Sequence, residues 1–253
     1  MKKLINFSFY YGSSVIVVLF LLFAWEIGAR LYNKAFILPS PTGITVKLWE
    51  LREVLLIVHL PATFQIVVVG LMVSMIVGGA LAIFMNRYAF AERTFFPLVI
   101  ASQTIPIIAL APIFVLWFGY SIWSKVAVTV LITFFPITVS TFDGLRSTSK
   151  ELIDLMRTMG ASKTQIFFKL QVPSALPYFY SGLKVAVTLS VIGAAIGEWL
   201  GASKGLGYFS RRMMTQMDGA GVFAPIVLLS IMGILLFLLV KMCEKISTKW
   251  REQ

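Results

Sequence analysis

The sequence predicts an all-α polytopic membrane protein with six transmembrane helices and an amphipathic helix-turn-helix between the fourth and fifth. Three observations predict it. Of 253 residues, 58% are apolar and 13% charged, against about half and about a quarter in soluble domains. Apolar runs recur at the ~20-residue length a bilayer core requires. One polar stretch, 147–177, interrupts them with the periodicity of an amphipathic helix.

Three regions are expected: a first span (1–36), an extracytoplasmic or interfacial segment (37–60), and a core of five spans (61–253) that holds the loop 147–177. Met1-Lys2-Lys3 precedes an apolar run from Val15 to Ala24, extended through Gly28. A signal peptide begins this way too. No small-residue cleavage site follows, and Glu26 and Arg30 stand at the far end, so the run reads as a retained span with its N-terminus inside. Leu38-Pro39-Ser40-Pro41 is a stiff entry to a segment, 43–58, that alternates apolar and charged faces and suits a membrane surface.

Span two is expected from Thr63 to Met85. Gly70, Ser74, Gly78 and Ala82 recur every fourth residue, the pattern of close helix packing in lipid. Asn86-Arg87 and Glu92-Arg93 read as a polar turn. No charge occurs from Thr94 to Ser124, and Pro97, Pro106 and Pro112 break this third span. Such breaks are tolerated where the freed backbone faces protein or water, so Ser102, Gln103 and Pro106 are candidates for a translocation pathway, beside the reading of a simple kink. Span four runs from Val126 to Phe142, span five from Tyr178 to Leu200 and span six from Val222 to Val240. Lys184 sits near the start of span five, able to snorkel. Glu198 sits near its end. A carboxylate deep in lipid costs about 2.5–3.5 kcal/mol, which makes Glu198 a further pathway candidate. Residues 201–208 read as a flexible Gly-rich loop, and a basic tail with Lys241, Lys245, Lys249 and Arg251 closes the chain.

Within 147–177, Leu152, Leu155, Met156 and Met159 recur at helical spacing among Glu151, Asp154 and Arg157. Thr148 to Glu151 fits a capping box, with Glu151 favoured by the helix dipole. Gly160 stops this helix. Ser162 to Gln165 fits a second capping box and opens a second helix, which Pro173 and Pro177 end.

Glu151, Gly160-Ala161, Phe167 and Val172-Pro173 carry a resemblance to the cytoplasmic coupling loop, or EAA loop, of bacterial ABC importer permeases. Leu152 and Ile153 replace the usual small residues and Val172 the usual Leu, and these changes keep the helix apolar. Leu38-Pro39-Ser40-Pro41, His59 and the run Ala111–Gly119 resemble the nitrate, sulfonate and taurine branch. Gly197-Glu198-Trp199-Leu200-Gly201-Ala202 is similar to permeases for thiamine-precursor pyrimidines. The resemblance implies a type I importer fold in the bacterial cytoplasmic membrane, with both termini cytoplasmic. It implies two copies of an ATP-binding subunit that hold ATP and magnesium, an extracytoplasmic substrate-binding protein, and a second permease chain, expected to be identical. In that setting Glu151 fixes the helix start, Gly160 allows the turn, and Leu155, Met156 and Met159 fill a groove on the ATPase.

Thirteen basic residues fall on the side of the termini and loop and eight on the other, which agrees with a cytoplasmic loop. No cofactor or metal is expected on this chain: Cys243 and His59 are single, no phosphate loop or dinucleotide fingerprint is complete, and no zinc motif or nucleophile elbow occurs. The net charge of +11 lacks a basic run interleaved with aromatics, so nucleic acid is not an expected partner. The alternative, an ion-gradient-driven secondary transporter, needs paired charges within spans, for which only Lys184 and Glu198 qualify.

Overall fold

The computed structural model describes residues 2–249; Met1 and the end of the basic tail with Arg251 lie outside the described residues. The regular elements among them are helices: α1 (Lys2–Tyr32), α2 (Pro41–Glu50), α3 (Arg52–Arg87), α4 (Ala89–Ser102), α5 (Ile107–Phe118), α6 (Ile122–Arg146), α7 (Lys150–Thr158), α8 (Lys163–Gly201), α9 (Leu206–Thr215) and α10 (Gly219–Ser247). Helices α1, α3, α6, α8 and α10 are long and apolar enough to cross a membrane. The pair α4 and α5 makes a sixth span if counted as one, bent by 102°.

Helix α6 is the central post. It packs along α8 on one side and α3 on the other, with α5 against it, while α10 leans on α8. The small residues of α3 set its distance from α6. A methyl group at Gly70 would sit 2.6 Å from Thr129 Cγ2, one at Gly78 would sit 2.8 Å from Thr138 Oγ1, and Ser74 Oγ lies 2.6 Å from Thr133 Oγ1. The threonines that fill this seam satisfy their hydroxyls inside α6. Thr129, Thr133, Thr138 and Thr141 each donate to the carbonyl four residues back, at 2.6–3.0 Å. Buried hydroxyls without such partners would be costly.

Helix α1 stands at the periphery. Its Leu19 and Phe20 are exposed, as expected of a helix whose neighbour is lipid. It is tethered by Glu26, whose carboxylate accepts from Thr42 N at 3.0 Å, from Thr42 Oγ1 at 2.8 Å and from Arg30 Nε at 2.6 Å.

Several expected boundaries move, each for a local reason. Helix α3 runs unbroken through the boundary placed at residue 60, and α8 runs through Pro173 and Pro177, which were expected to end a helix. A proline lacks the N–H for the i−4 bond and its ring strikes that carbonyl. Here the helix widens instead. Leu55–His59 precedes Pro61 and Phe167–Gln171 precedes Pro173, each as a π-turn closed by an i→i−5 bond (Leu60 N to Leu55 O, Val172 N to Phe167 O). The polar turn at 86–93 shrinks to Tyr88, and Glu92 sits in helix α4 bound to Arg146. Lys184 does not snorkel alone, because its Nζ lies 2.8 Å from Glu244 on α10.

Gly78 and its neighbour Gly79 test the seam. Nothing lies within 4 Å of a methyl group added at Gly79. Gly78→Ala is expected to destabilise the detergent-solubilised protein by about 1–3 kcal/mol through overpacking. Gly79→Ala is expected to be neutral or to stabilise by up to about 1 kcal/mol. Thermal unfolding of the two variants measures the difference.

Candidate functional site

Helix α7 and the start of α8 form a projecting helix-turn-helix. The N-cap of α7 is Ser149, whose hydroxyl accepts from Leu152 N, and not the expected Thr148. Thr148 Oγ1 is buried without a partner, and Glu151 stands exposed in the first turn with no capping bond. At the other end Gly160 adopts φ +81°; its N–H bonds Arg157 O and Ala161 N–H bonds Met156 O, both at 2.9 Å. These two bonds define a Schellman turn, which needs a left-handed residue at Gly160. Ser162 and Gln165 then form the expected reciprocal capping box.

No residue of α7 is buried. Leu155 is 54% and Met159 78% exposed, Leu152 joins them on the same stripe, and Met156 is half-buried. The apolar stripe is left uncovered by the rest of the chain. Leu152 was not among the expected contact residues; its position three residues before Leu155 is the signal that finds it. Phe167 is half-buried and opens the π-turn, edge-on to Phe168 at 5.1 Å. Because α8 is continuous, the loop and residue 201 are ends of one rod of 39 residues, about 58 Å long at 1.5 Å per residue.

The break between α4 and α5 spans Gln103–Pro106, and Gln103, Thr104, Ile105 and Pro106 are exposed. Ser102 Oγ bonds Val99 O at 2.6 Å and Gln103 Nε2 reaches Ser102 Oγ at 3.4 Å. Pro97 and Pro112 lie inside α4 and α5, so Pro106 alone marks the break. Beyond it, α5, α8, α9 and α10 enclose an open groove of about 650 Å³ walled by residues such as Ile108, Ile192 and Ile226, with hydroxyls only from Thr188, Ser210 and Ser230.

Glu198 is not with these residues. It is fully buried beneath α9. Gly205 begins that helix with no side-chain cap of its own, and three residues from two other helices supply one. Gly205 N–H donates to His59 Nδ1 at 3.0 Å, Leu206 N–H to Thr63 Oγ1 at 2.8 Å and Gly207 N–H to Glu198 Oε2 at 2.7 Å. The amides of a helix N-terminus attract such acceptors, and a carboxylate most of all. The segment expected to be a flexible Gly-rich loop is therefore fixed at Gly205–Gly207. Helix α9 is held further by Lys47, 3.0 Å from Asp218 across the turn that follows. The bond to Asp218 raises the Lys47 pKa. Burial pushes the Asp218 carboxyl upward, but the Gly221 N–H and Lys47 outweigh it and hold it below its ordinary value.

A methyl group at Gly205 would overlap the Glu198 carboxylate at a φ of +123°. Gly205→Ala is expected to cost more than about 2 kcal/mol, strain and overlap together. Glu198→Gln keeps an acceptor for Gly207 and is expected to cost less than Glu198→Ala, which leaves the amide bare. Thermal unfolding in detergent ranks the three.

Comparison with known proteins agrees with this architecture. The chain is 58% identical over 235 residues, 93% of its length and 94% of the relative's, to the formylaminopyrimidine transport permease protein ThiX of Halalkalibacterium halodurans. It is 32% identical over 94% of its length, and 90% of the relative's, to the riboflavin transport system permease protein RibX of Chloroflexus aurantiacus. It is 24% identical over 89% of its length, and 84% of the relative's, to the taurine transport permease TauC of Escherichia coli. A chain of the inward-facing MetNI methionine ABC transporter shares the fold, with a TM-score of 0.65 at 21% identity over 74% of this chain and 93% of that one. Residues 70–246, which hold α7, the broken span and Glu198, match the family model described as binding-protein-dependent transport system inner membrane component. The chain belongs to that family and is the permease component of an ABC importer.

Proposed function

We propose that this permease carries a formylaminopyrimidine-type thiamine precursor into the cell, with two identical copies of the chain, two ATP-binding subunits and an extracytoplasmic binding protein. The observation that carries the substrate class is the 58% identity to a formylaminopyrimidine permease over 93% of the chain. ATP and its magnesium ion belong to the ATPase partner, which docks on the stripe Leu152, Leu155 and Met159 from the cytoplasmic side, where both termini also lie. Closure of the ATPase pair moves α7, the Schellman turn passes the motion to α8, and α8 tilts the spans. The exposed break at Gln103–Pro106 faces the second copy, where the solute path runs.

Two features disfavour a gradient-driven carrier. Glu198 is committed to the α9 cap, and Lys184 is paired with Glu244 near the end of α10. The two charges that reading needs are therefore not paired with each other.

Leu155→Asp with Met159→Asp is expected to abolish ATPase co-purification, since two charges would enter an apolar groove. Gly160→Ala adds no clash and costs only the left-handed φ, about 1–2 kcal/mol; its uptake is expected to fall while the protein still inserts. Uptake of labelled formylaminopyrimidine by cells should stop when ATP is depleted. Transport that survives both ATP depletion and the double Asp variant would sink this reading.

A further inference from the structure

We infer that the membrane side of the coupling helix holds an anionic phospholipid headgroup. A cavity of about 560 Å³ lies between α7, the start of α8 and the end of α3. Arg87, Arg157 and Lys163 line it, together with the apolar Ile153 and Phe168. No carboxylate is among its lining residues. Arg157 is answered by Asp154 at 3.0 Å, whereas Arg87 and Lys163 have no acidic partner among the described residues. The cavity therefore carries uncompensated positive charge.

Its place identifies the ligand. Arg87 ends a membrane-spanning helix, and the exposed Tyr88 and Phe90 follow it, as aromatic residues do at the membrane–water boundary. Ile83 and Phe168, both lining the cavity, are also exposed, so cations sit beside apolar surface there, the complement of a phospholipid's headgroup phosphate and acyl chains. Basic pockets at this level hold anionic headgroups. The ATPase does not compete for it. At 100° per residue, Arg157 lies about 140–160° around α7 from Leu152, Leu155 and Met159, with Ile153 on the flank between. The lipid wedges between the coupling helix and the bundle, and so sets how firmly α7 rests on the membrane. This goes beyond the transport reading and needs nothing of the solute.

The test is native mass spectrometry of the chain purified with its ATPase in mild detergent, titrated with phosphatidylglycerol and with phosphatidylcholine of the same acyl chains. Phosphatidylglycerol is expected to be retained in preference, and Arg87→Gln with Lys163→Gln to weaken it about thirtyfold, from two lost charges. Arg87→Lys with Lys163→Arg should retain it, and ATPase content should not change in either variant. Equal retention of the two lipids, or of phosphatidylglycerol by the Gln variant, overturns the proposal. So does its loss from the charge-conserving variant, or displacement by excess inorganic phosphate, which marks a soluble-anion site. Loss of the ATPase from the Gln variant assigns the cavity to the subunit interface instead. Should the wild-type chain carry no ATPase, the transport reading falls while the lipid titration still decides this one.

Discussion

The continuity of α8 is the constraint on which the rest depends. One rod begins at Lys163, in the projecting loop, and ends at Gly201, three residues past the buried Glu198. A proline inside a helix lacks the N–H for the i−4 bond and its ring strikes that carbonyl, so two prolines near the start of this rod ought to have broken it. The π-turn at Phe167–Gln171 absorbs the first, and the helix continues past the second. The result is one continuous helix whose only widened turn lies near the projecting loop. Its far end holds the first turn of α9 through Glu198, while His59 and Thr63 grip the same turn from α3.

The seam between α3, α6 and α8 holds that rod in the bundle. Helices in lipid gain little from hiding apolar surface and associate through close packing and shared hydrogen bonds. Gly70, Ser74 and Gly78 bring α3 close to the threonines of α6, and Gly193 brings α8 against Thr129 from the other side. Thr129 thus touches both neighbours. These contacts are between backbones and short side chains, so the helices lie close together.

Much of this was legible in the sequence. Apolar run length gave the spans, and the four-residue repeat of small residues gave the packed face of α3. The spacing of Leu152, Leu155, Met156 and Met159, with Gly160 behind them, gave the helix and its turn, but of the expected contact residues Leu155 and Met159 are exposed and Met156 is half-buried. What stayed hidden were effects of distant partners. Nothing near Glu198 announces His59 and Thr63, which lie well over a hundred residues earlier, so a capping carboxylate read as a pathway charge. Proline signals are local too. They mark where a helix is stressed, but whether it breaks, as at Pro106, or widens, as before Pro61 and Pro173, is decided by the packing around it.

On the proposed mechanism, motion at α7 travels along α8, whose far end holds the first turn of α9 through Glu198. Hydrogen exchange of the assembled transporter, with the ATPase pair open and then trapped closed, tests it most directly at the amides of Gly205, Leu206 and Gly207. Closure is expected to change protection at these three amides together with α7. Changes confined to α7, with the cap amides untouched, would contradict it.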